Sequence, residues 1–140
     1  MTPAQCIAAS AALGFFKSFA LGRYCGPRCP PKRASLHSVL LGPVVEEVMY
    51  RAAPLQIAGK RLPVGFTALP FALDHILPEA AHGASFGRLL FRALEVGLGG
   101  YLYETAYRNG GYFAAVAGHS AHNLAASYGF NIGLRAWERL

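Results

Sequence analysis

The chain has 140 residues, enough for one domain, and is 54% hydrophobic but only 14% charged, against about 25% charged in an ordinary soluble domain. Its mean hydropathy of +0.30 suits a helical bundle in water or in lipid. The net charge of +6 falls mostly between apolar segments rather than along an aromatic-studded stripe, which argues against nucleic-acid binding, and three cysteines, an odd number, argue against a disulfide framework.

Glycine and proline punctuate the chain into five expected helices. The first, about Ala4–Leu21, begins without the basic stretch of a signal peptide. The turn-rich loop "GRYCGPRCPPKR" follows. It is the most basic connection and is placed in the cytoplasm on that ground alone, since the successive loops are all basic and the positive-inside count does not set the orientation. Its Cys25 and Cys29 lack a second ligand pair for a metal and are read as loop residues, with palmitoylation as the alternative. The second helix, Leu36–Ala58, ends at "AGKRLP", and the third, Val64–Leu77, at "LPEAAHGAS". The fourth, Phe86–Tyr107, stops at "YRNGGY", where Asn-Gly-Gly favours a left-handed turn. The fifth is Tyr112–Trp137. From Asn109 to Leu134 there is no Asp, Glu, Lys or Arg, so this segment is expected to be the one able to cross a bilayer alone, where about 20 apolar residues suffice. Interior glycines in "EVGLGGYLYE" suit close helix packing in lipid. No strand-like alternation persists. The expected fold is all-α: a polytopic transmembrane bundle of about five helices, one domain over residues 1–140.

Three polar islands interrupt the apolar helices. In "PVVEEVMYRAAP", Glu47 and Arg51 stand four residues apart, where opposite charges meet on one helix face, whereas Glu46 points elsewhere and has no local partner. "FALDH" carries Phe71 and His75 one turn apart. "GHSAHN" carries His119 and Asn123 one turn apart, with His122 on another edge. A single histidine in an apolar helix is ordinarily a satisfied core residue. Ionisable groups on three separate apolar helices instead mark a site facing a bundle interior. A glutamate in a dry pocket can take a proton from water, and a histidine and an asparagine can donate to the oxyanion formed on an amide carbonyl. Neither GxSxG nor HExxH occurs. The set is the inventory of a peptidase without a serine or cysteine nucleophile. Glu46, His75 and His119 also make a possible three-ligand zinc site, although Asn123 fits an oxyanion donor better than a zinc ligand.

The motifs "EEVMYR", "FALDH" and "HSAHN", in this order and separated by 29 residues (Glu46 to His75) and 44 (His75 to His119), resemble the EExxxR, FxxxH and HxxxN motifs of the CPBP family, the CAAX-protease and bacteriocin-processing intramembrane proteases. The resemblance spans about Leu36 to Gly129. It implies Glu46 as the general base, Glu47 and Arg51 as its supporting pair, His75 placing the water or polarising the carbonyl, His119 and Asn123 binding the oxyanion, and Phe71 packing. It implies no cofactor, with zinc as the alternative. It implies an integral protein, placed here in a bacterial cytoplasmic membrane, whose substrate is a membrane-anchored or lipidated protein or peptide: a CAAX tail, a peptide precursor or a C-terminal sorting tail. The chain is shorter than most family members. Asp74, Glu95 and His122 are additional: Asp74 is expected to tune His75, Glu95 to pair with Arg92 or Arg88, and His122 to pack. Two other readings remain in view, a non-catalytic immunity or partner-binding protein on the same scaffold and a proton or ion conduit.

Overall fold

A computed structural model describes residues 1–25 and 30–137 of the chain, and its described residues form helices without strands. Helix α1 covers Pro3–Cys25. Its start is a reciprocal cap: the Gln5 N–H donates to Thr2 Oγ1 at 3.2 Å and the Thr2 N–H to Gln5 Oε1 at 2.8 Å, with Pro3 next in line. Cys25 closes α1. The remainder of the expected cysteine loop, 26–29, lies outside the described residues.

Helix α2 covers 36–58 and is not uniform. Two stretches, His37–Leu41 and Val48–Ala52, are wound as π-helix, closed by N–H bonds from Gly42 to the His37 carbonyl and from Ala53 to the Val48 carbonyl. Each stretch ends two residues before a proline, Pro43 or Pro54. Proline has no N–H to give and its ring crowds the carbonyl four residues back, so the preceding turn widens. The widened turns bracket Glu46 and Glu47, which sit in the short α-helical piece Gly42–Glu47.

Helix α3 covers Ala68–Ala81 and continues through Pro78. Its start is later than the sequence suggests. Residues 64–67 form a turn instead, because the Thr67 N–H and hydroxyl donate to the buried Glu104 carboxylate at 3.0 and 2.6 Å rather than entering a helical ladder. Arg108 closes this cluster, donating to Glu104 and to the Leu62 carbonyl. The final helical stretch, Phe86–Trp137, breaks at Gly111, whose φ of 75° and ψ of −172° belong to a region essentially reserved for glycine. The break yields α4 (86–110) and α5 (112–137).

The last helical stretch lies against both α1 and α3. Against α1 the approach is very close. A Cβ on Gly129 or Gly133, which form a GxxxG pair in α5, would overlap the Phe15 and Phe19 carbonyls of α1. The interglycine packing expected around Gly97 to Gly100 is thus matched by a tighter crossing elsewhere.

Burial is inverted relative to a soluble protein. The largest fully buried side chains are Arg51, Glu47 and Glu104, while Phe113 is 83% and Ile57 88% exposed. An apolar exterior around paired charges suits lipid rather than water. Among the described residues one helix is both long and apolar enough to cross a membrane, and it is Pro3–Tyr24, with a mean hydropathy of 1.4. The expectation for Asn109–Leu134 is therefore corrected. That segment is uncharged but not strongly apolar, because glycines, serines, asparagines and two histidines dilute it, and Gly111 interrupts it.

Candidate active site

Glu47 and Arg51 are both fully buried on α2, with Arg51 Nη1 donating to Glu47 Oε1 at 3.3 Å. A buried guanidinium must spend its remaining donors and its charge. Arg51 Nη2 donates to the Gly100 carbonyl of α4 at 3.2 Å, and the guanidinium lies 4.2 Å from the centre of the Phe71 ring. Glu47 in turn reaches α5: the His119 Nδ1–H donates to Glu47 Oε1 at 2.9 Å. The i,i+4 pair visible in the sequence is thus the hub of a cross-helix network.

Glu46 is turned about 100° from Glu47 by one residue of helical rotation, so the two carboxylates meet the His119 imidazole at different nitrogens. Its Oε2 stands 3.9 Å from His75 Nε2 and 3.7 Å from His119 Nε2. Hydrogen bonds fix which nitrogen carries the proton. The Phe71 carbonyl, 2.8 Å from His75 Nδ1, can only accept, so Nδ1 donates. The same holds for His119 Nδ1 against the Glu47 carboxylate. In the neutral imidazoles both Nε2 atoms are then acceptors. Glu46 Oε2 is itself buried and has no donor. Three acceptors, one from each of α2, α3 and α5, therefore face a shared space.

Aromatic packing holds the rings in place. Tyr103 stacks on His119 with centroids 4.4 Å apart and planes 11° off parallel. Phe71 meets His119 edge-on and touches His75 at 4.5 Å between centroids. Phe71 thus supports both imidazoles and Arg51. At the entrance to α5, the Tyr112 hydroxyl donates to the Val44 carbonyl at 2.8 Å, tying the last helix to the turn before Glu46.

Asn123 lies one turn beyond His119. Its Nδ2 donates to the Ser38 carbonyl at 2.7 Å, within the first π-wound stretch. His75, His119 and Asn123 line a cavity of about 300 Å³ together with Ser38, Phe71 and Tyr103. Glu46 stands at its edge against the imidazoles and does not line the wall. The structure thus gathers Glu46, Glu47, Arg51, His75 and His119 into one contact network and puts Asn123 on the wall of the adjoining cavity.

The additional acids and histidine meet the sequence expectations to different degrees. Asp74 is exposed and makes no hydrogen bond to His75, whose Nδ1 is engaged by Phe71 instead. Glu95 pairs with Arg92, as expected, but also accepts from Lys17 Nζ at 2.8 Å. His122 is buried and packs edge-on against Tyr103, and it also brings Nε2 to 3.4 Å from Glu95 Oε1. Lys17 was the missed member. Its signal was present, since it is the one charged residue in the apolar run of α1 before Arg23. Among the described residues, no three His, Cys, Asp or Glu side chains stand as a metal-binding group.

A helical bundle with an apolar exterior that buries an ion-paired carboxylate and turns a second carboxylate and two imidazoles toward a small cavity is a membrane protein built around a polar chamber. Its family follows from the sequence match: residues 33–125 match the family model described as type II CAAX prenyl endopeptidase, Rce1-like, and the chain belongs to that family of membrane-embedded helical endopeptidases. Neither a curated protein nor a solved structure matches the chain.

Proposed function

We propose that the protein is an intramembrane endopeptidase that hydrolyses a peptide bond in a membrane-embedded or lipidated protein tail, with Glu46 as the base that activates water. The observation that carries this reading is the meeting of three acceptors, Glu46 Oε2, His75 Nε2 and His119 Nε2, with no donor among them. A single water matches two of the three, giving one hydrogen to Glu46 and one to His75 while keeping a lone pair free to attack, and leaves His119 Nε2 for the substrate's side. The separations of 3.7 and 3.9 Å leave room for a water at ordinary hydrogen-bond length from each atom.

In this mechanism the water oxygen bonds to the substrate carbonyl carbon as its proton passes to Glu46 Oε2. The carbonyl oxygen becomes an oxyanion. The second hydrogen of the Asn123 amide is available to it, since the Ser38 carbonyl occupies the first. His119 donates to it from Nε2 after taking a proton from solvent, which the Glu47 carboxylate balances, and gives that proton back to solvent when the oxyanion collapses. Collapse of the tetrahedral carbon breaks the C–N bond, and Glu46 returns its proton to the departing amine. Glu47 and Arg51 take no part in bond making. They hold His119 and the α2 backbone in register.

The same three acceptors favour one second reading, a zinc ion on Glu46, His75 and His119. A tetrahedral centre with bonds of about 2.0–2.1 Å holds its ligands roughly 3.4 Å apart, closer than these stand. The metal-free mechanism fits the observed spacing better. The family membership supports hydrolysis over ion conduction or a purely partner-binding role.

The test uses the purified full chain in lipid nanodiscs with an internally quenched, farnesylated CAAX-type peptide, and mass spectrometry of the products. The expected result is a prenylated fragment with a new C-terminus, formed at an unchanged rate when 1,10-phenanthroline is added. Loss of activity with the chelator, restored by zinc, would replace the glutamate mechanism with the metal one. An uncleaved peptide would remove the prenylated-tail substrate.

A further inference from the structure

Asn123 owes its partner to a gap in the hydrogen-bond ladder of α2. In an ordinary α-helix the Ser38 carbonyl would accept from the Gly42 N–H, four residues on. Here that N–H goes to the His37 carbonyl instead, one residue further back. The donor that a π-wound turn would offer to Ser38 comes from five residues on. That residue is Pro43, which has no N–H. Both ladder donors that could reach the Ser38 carbonyl are therefore removed, one by the winding and one by the chemistry of proline. In their place the carbonyl takes the Asn123 Nδ2 donor of α5 at 2.7 Å.

Ser38 is pinned from its other side as well. Its N–H donates to Ser35 Oγ at 3.0 Å, and the Ser35 N–H donates to Ser38 Oγ at 3.1 Å, a reciprocal cap at the start of α2. The freed carbonyl thus belongs to a residue whose own backbone is fixed. A carbonyl only accepts, so it holds the Asn123 amide with its nitrogen toward α2. That orientation decides what the amide shows to the cavity, whose wall includes both Ser38 and Asn123. With Nδ2 anchored, its second hydrogen is left for a developing negative charge. With the amide turned over, Oδ1 would stand there and repel that charge.

We propose that Pro43 is a positioning residue for the reaction: it keeps the Ser38 carbonyl outside the α2 ladder, and that carbonyl orients Asn123 as an oxyanion donor. This rests on the hydrolytic reading of the site. Pro43 is fully buried and does not line the cavity, so it acts through Asn123. Alanine at position 43 restores an N–H. The ladder then closes on the Ser38 carbonyl, which turns from α5 toward the helix axis. The helix gains a better interior residue and loses the contacts of a buried ring, two effects of opposite sign on stability.

The test is a double-mutant cycle on the full chain in lipid nanodiscs, read as kcat and KM with the farnesylated CAAX-type peptide. Pro43→Ala is expected to lower kcat about tenfold or more with KM within about twofold of wild type, in a protein of unchanged helicity. Added to Asn123→Ala, the same change should lower kcat by less than about twofold, because the group through which it works is gone. Pro43→Val, which restores the N–H and keeps most of the ring's volume, should behave as Pro43→Ala does. A wild-type kcat in the folded variants, an equal effect of Pro43→Ala with and without Asn123, or loss of folding by both variants overturns the inference. The amide gives a second reading that needs no turnover. The chain has three asparagines, so isotopic labelling of asparagine nitrogen alone leaves few side-chain NH2 pairs in the NMR spectrum, and that of Asn123 is the one lost in Asn123→Ala. Its anchored proton is expected downfield and should move upfield in Pro43→Ala. An Asn123 pair unmoved by Pro43→Ala overturns the positioning role. A pair that moves in a protein that cleaves no peptide would keep the anchored amide and remove the peptidase.

Discussion

The protein treats charge in opposite ways at the two ends of the cavity. Behind the His119 wall, Glu47 and Arg51 do not line the cavity and are wholly removed from solvent, and Arg51 is matched by a carboxylate, a carbonyl and an aromatic face. At the outer end, Lys17, Lys32 and Arg92 outnumber Glu95, and Arg92 keeps 31% of its side chain exposed. The first arrangement suits a rigid support, because a buried pair tolerates no loss of either member. The second leaves a surplus of positive charge, because three cations stand around one carboxylate on the cavity wall. Proximity to the same cavity therefore does not give the two ends the same role.

Mutations should separate them. The largest effect on folding is expected from Arg51→Ala, which strands Glu47 in a dry interior and should cost about 3–5 kcal/mol, read as loss of cooperative thermal unfolding by circular dichroism in detergent. Asn123→Ala should act on the reaction instead. Removing one oxyanion donor is expected to lower kcat by about 10²–10³-fold in the prenylated-peptide assay, with stability reduced by only about 1 kcal/mol for the lost bond to Ser38. Gly111→Ala forces a side chain into the break between α4 and α5 and should cost about 1–3 kcal/mol, shifting the melting temperature downward without a separate effect on substrate selection. The smallest change is expected at the outer end. Arg92→Gln should alter stability by about 1 kcal/mol or less, since Lys17 remains on Glu95 and the pair is partly solvated. A loss as large as that of Arg51→Ala would erase the distinction between the two ends.

Much of this arrangement was legible in the sequence. The boundaries of α2 follow from the polar residues and glycines around it, and the break at Gly111 from "NGGY". The Glu47–Arg51 pair is a local consequence of helical spacing. What the sequence could not show was cross-helix chemistry. Nothing local announces that His119 donates to Glu47, that Glu104 pulls residues 64–67 out of the third helix, or that Lys17 reaches Glu95 across 78 positions. The π-wound stretches were also unread, although Pro43 and Pro54 are their visible cause. The misplaced membrane span has a simple origin: residues 109–134 lack charge without being strongly apolar, whereas α1 is the more apolar helix despite Lys17.

The central claim is tested most directly by Glu46→Gln. The amide keeps the size of the carboxylate but cannot take a proton from water, and nothing else in the site replaces it. Purified in lipid with helicity and melting temperature retained, the variant should cleave the farnesylated peptide at least about 10³-fold more slowly than the wild-type chain. Turnover within tenfold of wild type by the folded variant would contradict the account.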